Sequence, residues 1–113
     1  MGSFRIAILV SGSGTNLQAI LDQLHGRHDI EVALLPIGGY DAPTGRSVHM
    51  NPEEALQAFV ELRAKVLVPM HYGSFRLGYE PLDEPPARLM AEARKNGIGD
   101  KVLLLTEGSP IVL

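Results

Sequence analysis

The 113-residue sequence contains no cysteine, which excludes disulfide bonds, thiol nucleophiles and thiolate metal sites. Basic residues number 10 against 13 acidic ones, and no basic cluster occurs, which argues against a nucleic-acid partner. No apolar run is long enough to span a membrane and no signal peptide is recognised, so we expect a soluble cytoplasmic protein without a membrane partner. An apolar fraction of 45% is sufficient for a core, and the length predicts a single domain covering residues 1–113.

Apolar runs alternate with segments of helical period, a pattern typical of an α/β fold. Strands are predicted at residues 4–10, 30–37, 66–70 and 102–105, with a short candidate fifth strand at 111–113. Helices are predicted over residues 17–24, from Asn51 to about residue 64, and from Asp83 to Asn96. The order β-α-β-α-β-α-β predicts a three-layer α/β/α fold with a mainly parallel sheet of four to five strands. Since ligands bind at the carboxyl ends of such strands, the loops after the first three strands are expected to share one edge.

A glycine loop at residues 11–16 connects the first predicted strand to the first predicted helix. Its glycines allow a sharp turn, and the free N–H groups and dipole of the helix favour an anion. The loop lacks the Gly-Lys-Ser/Thr ending of a Walker loop, and Leu17 replaces the third glycine of a dinucleotide fingerprint. A plain strand–helix connection is therefore the alternative to a weak phosphate or sulfate site at Gly12, Ser13, Gly14, Thr15 and Asn16.

Residues 5–20 have the sequence RIAILVSGSGTNLQAI. This string resembles the amino terminus of glycinamide ribonucleotide formyltransferases, in which a Gly-Ser/Thr-Asn loop holds the substrate's phosphate. The resemblance covers roughly residues 4–26 and implies that Gly14, Thr15 and Asn16 contact phosphate. The catalytic residues of that family surround a His-Pro-Ser motif, which this sequence lacks.

Four later motifs follow one another, namely ALLPIGGY at 33–40, HMNPEEA at 49–55, MHYGSF at 70–75 and EPP at 84–86. They resemble the carboxyl-terminal part of metallo-β-lactamase-fold hydrolases, in the branch that includes N-acyl-phosphatidylethanolamine phospholipase D and lactonase-like enzymes. In that branch the histidine of the Met-His-Tyr/Trp-Gly motif is the last ligand of a two-metal site. The resemblance implies that His71 is an inherited metal ligand and that His49 lies near the site.

The remaining metal ligands of that branch are missing from the sequence. The H-x-H-x-D-H motif and the aspartate of an Ala-Gly-Asp-Thr-Gly loop are absent, and the histidines at 25 and 28 have the wrong spacing. Catalytic zinc usually has about three protein ligands, so His71 with His49 is a weak metal site, and we expect no cofactor, with zinc as the alternative. Asp83 and Glu84 form a carboxylate pair that we assign to the start of a helix, because Pro85 and Pro86 follow.

Two unrelated resemblances in one chain lead us to interpret it as an engineered or recombined chimera, joined near residues 26–29. On this interpretation the chain has no catalytic residues and is not an enzyme, and its chemistry is limited to weak phosphate binding. A metal-dependent hydrolase, a formyltransferase-like phosphoribosyl-binding protein and a ligand-free structural domain are the alternatives. An uncovered strand edge is expected to favour a homo-oligomer.

Overall fold

A computed structural model describes residues 6–8, 30–41, 49–75 and 78–112. Within these ranges the strands are β1 (Ile6–Ile8), β2 (Val32–Pro36) and β3 (Val66–Met70). The helices are α1 (Pro52–Leu62) and α2 (Glu84–Lys95), and a short 3-10 helix covers Gly99–Lys101. The fold is mixed α/β with a small parallel sheet. No helix in the described part of the chain is long and apolar enough to cross a membrane.

The three strands pair in the order β1-β2-β3, and both pairings are parallel. The β2–β3 register runs from Val32 opposite Val66 to Pro36 opposite Met70, so the two strands end side by side. The central strand β2 is buried along most of its length, as is typical of a parallel strand covered on both faces. This register brings the chain after β2 next to the chain after β3.

Helix α1 begins where the sequence predicts, because its capping signals are strong. The Asn51 side chain accepts a hydrogen bond from the Glu54 N–H at 2.8 Å, and Pro52 occupies the first helical position. The helix ends at Arg63, which has a left-handed φ of 56° and donates its N–H to the Val60 carbonyl. The predicted end near residue 64 therefore lies within two residues of the observed one.

Helix α2 also begins at the predicted acidic and proline-rich segment, although Asp83 makes no capping hydrogen bond with its side chain. The helix ends before Asn96 and Gly97, and Gly97 has a positive φ of 73°. Helix α1 contacts both β2 and α2. The buried apolar core joins these elements and includes Ala33, Leu35, Ile37, Ala55, Leu56, Phe59, Leu67, Leu89 and Ala93.

The predicted strand at 102–105 is wrong. Only Val102 forms an isolated parallel bridge, to Leu67, and the Leu103 N–H donates to the Leu67 carbonyl at 2.9 Å. Leu104 and Leu105 are 43% and 45% exposed, so the apolar run leaves the core after one bridge instead of continuing the sheet.

Residues 111–112 form no strand, and residue 113 lies outside the described residues. The described sheet thus has three strands, not four to five, and the three-layer arrangement stays a prediction because the helix expected at 17–24 is not among the described residues.

Candidate functional site

The carboxyl ends of β2 and β3 bring two predicted loops together, as the sequence led us to expect. The Ile37 N–H donates to the Met70 carbonyl at 3.0 Å, which extends the pairing beyond the end of β2. Directly after this bond, Gly38 lies against the backbone of His71. A Cβ at Gly38 would lie 2.2 Å from the His71 carbonyl oxygen, so glycine is required for this close approach.

His71 is exposed and has a left-handed φ of 61°, a conformation that is uncommon for residues other than glycine. Its Nδ1 lies 3.3 Å from the Gly38 carbonyl oxygen. Because a carbonyl oxygen only accepts, this hydrogen bond places the ring proton on Nδ1 and leaves the lone pair on Nε2. Metal-binding histidines are commonly held in this way, with one ring nitrogen donating to a backbone carbonyl and the other facing the metal.

The structure brings His49 and His71 together, which the sequence left open. Their ring centroids lie 4.9 Å apart, and the ring planes are inclined by 43°. His49 is half-buried, and its Nδ1 atom is fully buried. Two imidazoles bound to one tetrahedral zinc ion have centroids roughly 5 Å apart, because each ligating nitrogen lies about 2.0–2.1 Å from the metal. The observed spacing therefore fits a shared metal ion.

The ligand set is incomplete among the residues that the structure describes. Within 6–8, 30–41, 49–75 and 78–112, no group of three or more histidine, aspartate or glutamate side chains could hold a metal ion. Since a catalytic zinc site usually has about three protein ligands, His71 and His49 supply only part of one. The histidines at 25 and 28 lie outside the described residues, as does the phosphate site predicted at 12–16, which stays a prediction.

A buried carboxylate that the sequence analysis missed holds the loop after β2. Glu80 is 7% exposed and accepts hydrogen bonds from the backbone N–H groups of Gly39 and of Asp41, the latter at 3.3 Å. The Tyr79 N–H donates in turn to the Asp41 carbonyl at 2.7 Å. No sequence signal marks Glu80, because it lies in an irregular segment and its partners are about forty residues away in the chain.

A second polar cluster anchors the same loop to both helices. The Tyr40 hydroxyl donates to Glu84, and the Arg88 guanidinium lies 4.7 Å from the centroid of the Tyr40 ring. Arg88 also donates to both carboxylate oxygens of Glu53, at 3.0 and 2.6 Å. Glu84, predicted as a helix-start acid, does occupy the first turn of α2 and in addition accepts from Tyr40.

These contacts raise the pKa values of Tyr40 and Arg88. Burial, with a smaller contribution from the hydrogen bond to Glu84, raises the pKa of Tyr40 to about 12. The hydrogen bonds to Glu53 raise the pKa of Arg88 above its ordinary value. Tyr40 is thus a neutral hydrogen-bond donor and Arg88 a permanent cation at any physiological pH.

An open hollow of about 320 Å³ lies over His71 and is lined also by Tyr72, Ser74 and Phe75. Phe75 is 78% exposed, and burial raises the pKa of the Tyr72 phenol. His71 and two aromatic side chains therefore line the same open hollow.

Comparison with known proteins identifies the family to which this chain belongs. Residues 10–72 match the family model described as beta-lactamase superfamily domain. A UPF0173 metal-dependent hydrolase of Opitutus terrae is 39% identical over 75 residues, covering 66% of this chain and 28% of that protein. A UPF0173 metal-dependent hydrolase of Thermococcus kodakarensis is 35% identical over 97 residues, covering 84% and 35%. An uncharacterized protein of Mycobacterium tuberculosis is 44% identical over 72 residues, covering 61% and 18%.

Solved structures of hydrolases superpose on this chain and have a similar fold. A metallo hydrolase from the archaeon Ignicoccus hospitalis superposes with a TM-score of 0.57 at 29% identity, covering 87% of this chain and 35% of that one. The isothiocyanate hydrolase from Delia radicum gut bacteria superposes with a TM-score of 0.65 at 22% identity, covering 85% and 35%, and supports the fold alone. The chain spans between 18% and 35% of the length of these relatives and structures.

These matches correct three predictions. The interpretation as an engineered or recombined chimera without an intact active site is wrong, because one family model runs through the predicted junction at 26–29 and the relatives are named metal-dependent hydrolases. The prediction that the chain is not an enzyme is contradicted by the same hydrolase relatives. The prediction of no cofactor is contradicted by their metal dependence. None of the matches supports a formyltransferase origin for residues 4–26.

Proposed function

The chain belongs to the beta-lactamase superfamily, and from that premise we propose that it forms part of a metal-dependent hydrolase in which His71 is a metal ligand. The observation that carries this proposal is the hydrogen bond from His71 Nδ1 to the Gly38 carbonyl. That bond leaves the Nε2 lone pair available to a metal, and His71 lines the open hollow. The hydrolase relatives support the reaction class, and the conformation of His71 supports the site.

His49 supplies the second imidazole of the proposed site. Its ring lies 4.9 Å from that of His71, close to the spacing of two imidazoles on one zinc ion. Imidazole ligands suit zinc, and we propose zinc as the metal. The remaining ligands are proposed to lie outside the described residues, since those residues contain no group of three.

His71 and His49 would hold the zinc ion, which would supply Lewis-acid chemistry and activation of water for hydrolysis. The residues of this chain hold and orient the site. The Gly38 carbonyl keeps the His71 proton on Nδ1, and the tight contact between Gly38 and the His71 backbone fixes the position of the ring. Tyr72 and Phe75 line the hollow beside it and give it an aromatic wall.

Cobalt(II) titration of the full chain tests the proposal, because cobalt reports its coordination in the visible spectrum. We expect the wild type to bind cobalt with imidazole coordination and His71→Ala to bind at least about tenfold more weakly. Ser74→Ala is the matched control, since it alters the same hollow without removing a ligand. Equal cobalt affinity in the wild type and in His71→Ala would overturn the assignment of His71.

His49→Ala tests the second ligand separately. If both imidazoles bind one ion, the His49 variant also loses about tenfold or more in affinity and its cobalt spectrum loses one imidazole. If the variant binds like the wild type, His49 is a neighbour of the site and not a ligand. Hydrolase assays on the zinc-loaded chain then use the alanine variants of the histidines that are found to bind.

A further inference from the structure

We propose that Glu80 is a positioning residue that fixes the ring proton of His71 through a single peptide group, an inference that rests on the proposed function of His71 as a metal ligand. Glu80 accepts from the N–H of Gly39, and His71 donates to the C=O of Gly38. These two groups belong to the same peptide unit. The carboxylate and the imidazole therefore lie at opposite ends of one planar amide.

The amide transmits the charge of the carboxylate. A hydrogen bond from a peptide N–H to an anion draws electron density toward the carbonyl oxygen of that peptide, and hydrogen bonds linked in this way strengthen one another. The Gly38 carbonyl becomes a better acceptor for the His71 Nδ1–H, which favours the tautomer with a free Nε2. In many metal sites a carboxylate contacts the ligating histidine directly, and here a peptide group connects the two.

The surroundings hold this peptide in one orientation. Gly39 has a positive φ of 78°, and Gly38 is in contact with the His71 carbonyl. The second oxygen of Glu80 accepts from the Asp41 N–H, and the Tyr79 N–H donates to the Asp41 carbonyl. The segment around Glu80 thus pairs with residues 39–41 at three points, and turning the Gly38–Gly39 peptide would break its bonds to both Glu80 and His71.

The burial of Glu80 calls for an explanation of this kind. Among the described residues, it is the one charged side chain that is buried, at 7% exposed. Burying a carboxylate is costly unless hydrogen bonds compensate, and both oxygens of Glu80 accept from backbone N–H groups. A carboxylate offers an acceptor oxygen to each of these two N–H groups, and its negative charge polarises the Gly38–Gly39 peptide more strongly than a neutral acceptor would.

The experiment compares Glu80→Gln with the wild type, using Glu61→Gln as the matched control on the exposed face of α1. Long-range proton–nitrogen NMR of the metal-free chain at about pH 8.5, where histidine is ordinarily neutral, reports which ring nitrogen of His71 carries the proton. We expect the wild type and Glu61→Gln to hold the proton on Nδ1. We expect Glu80→Gln to shift a measurable fraction to Nε2 and to weaken cobalt binding by about tenfold or more.

The readouts separate this inference from the proposed function. A tautomer that responds to Glu80→Gln in a chain that binds no cobalt through His71 supports the positioning role and overturns the metal site. Cobalt binding through His71 with an unchanged tautomer in folded Glu80→Gln leaves the metal site in place and overturns the inference. If Glu80→Gln does not fold, the same NMR measurements on the wild type test the inference. The Gly39 amide must show coupling through its hydrogen bond to the Glu80 carboxyl carbon, and a His71 protonated on Nε2 would overturn the inference.

Discussion

The imidazole rings of His49 and His71 lie with their centroids 4.9 Å apart, although helix α1 and strand β3 separate them in the chain. The parallel crossover explains this contact. Helix α1 runs antiparallel to β3, so the residue before the helix returns to the same sheet edge as the residue after the strand. The candidate metal site therefore follows from the topology and from the position of each histidine just outside a regular element.

Replacing Gly38 with alanine is expected to damage both the fold and the site. The new Cβ would lie 2.2 Å from the His71 carbonyl oxygen, which is backbone and cannot move aside cheaply. We expect Gly38→Ala to lower the free energy of unfolding by about 1–3 kcal/mol, a typical cost of overpacking, and to weaken cobalt binding. Urea denaturation measures the first effect and cobalt absorption the second.

Gly99→Ala serves as the control for that substitution. Its Cβ would lie 3.1 Å from Cγ of the Arg94 side chain and 3.8 Å from the Arg94 backbone, which is an ordinary van der Waals distance. We expect a change of roughly 0.5 kcal/mol or less and unaltered cobalt binding. If Gly38→Ala behaved like Gly99→Ala in both measurements, the close approach of Gly38 to His71 would be incorrect.

Arg88→Lys tests the cluster that joins the two helices. Lysine cannot reproduce the paired hydrogen bonds of Arg88 to Glu53 at 3.0 and 2.6 Å, nor its stacking on Tyr40. The pair is more than a third exposed, so solvent screening limits its value, and we expect a loss of about 0.5–1 kcal/mol in unfolding free energy.

The Lys65–Glu31 pair provides the comparison, since it is a single contact of 2.9 Å with Lys65 63% exposed. A double-mutant cycle on each pair should give a larger coupling for Arg88 with Glu53 than for Lys65 with Glu31. Equal couplings would show that the paired geometry of Arg88 adds no stability.

Tyr40 is expected to make the protein less stable at alkaline pH. Burial and Glu84 raise its pKa to about 12, so between about pH 10 and 12 the folded chain keeps a phenolic proton that the unfolded chain loses. Because the folded state then binds more protons, the unfolding free energy falls as pH rises through this window, and the contribution is fully present below it.

Tyr40→Phe removes this part of the alkaline decline. Urea denaturation at about pH 9 and about pH 11.5 should show a smaller drop in the variant than in the wild type. Tyr79→Phe, at a residue that is 58% exposed, is the control. A drop of the same size in Tyr40→Phe and the wild type would contradict the raised pKa of Tyr40.

Much of the described fold follows from local sequence signals. The bounds of β3 match the prediction at Val66–Met70, and both helices begin at their predicted acidic and proline-rich segments. These features depend on apolar runs and on capping residues close in sequence. The meeting of two loops at one edge also followed, because parallel strands place their carboxyl ends together.

The predictions that failed depended on information beyond local pattern. The apolar run at 102–105 is typical of a buried strand, but Leu104 and Leu105 are exposed, and a single run does not reveal what covers it. The chimera interpretation gave a short match around a glycine loop too much weight, although strand–loop–helix units recur in unrelated α/β folds. Glu80 could not be predicted from local pattern, because it holds the loop after β2 through contacts with residues distant in the chain.

The central claim is that His71 binds metal through Nε2 while its Nδ1–H donates to the Gly38 carbonyl. Nitrogen NMR of His71 during a zinc titration tests this claim most directly. The account predicts that zinc shifts the Nε2 resonance of His71 and leaves Nδ1 protonated, and that His71→Ala binds zinc at least about tenfold more weakly. An Nε2 resonance that does not respond to zinc, in a chain that stays folded, would contradict it.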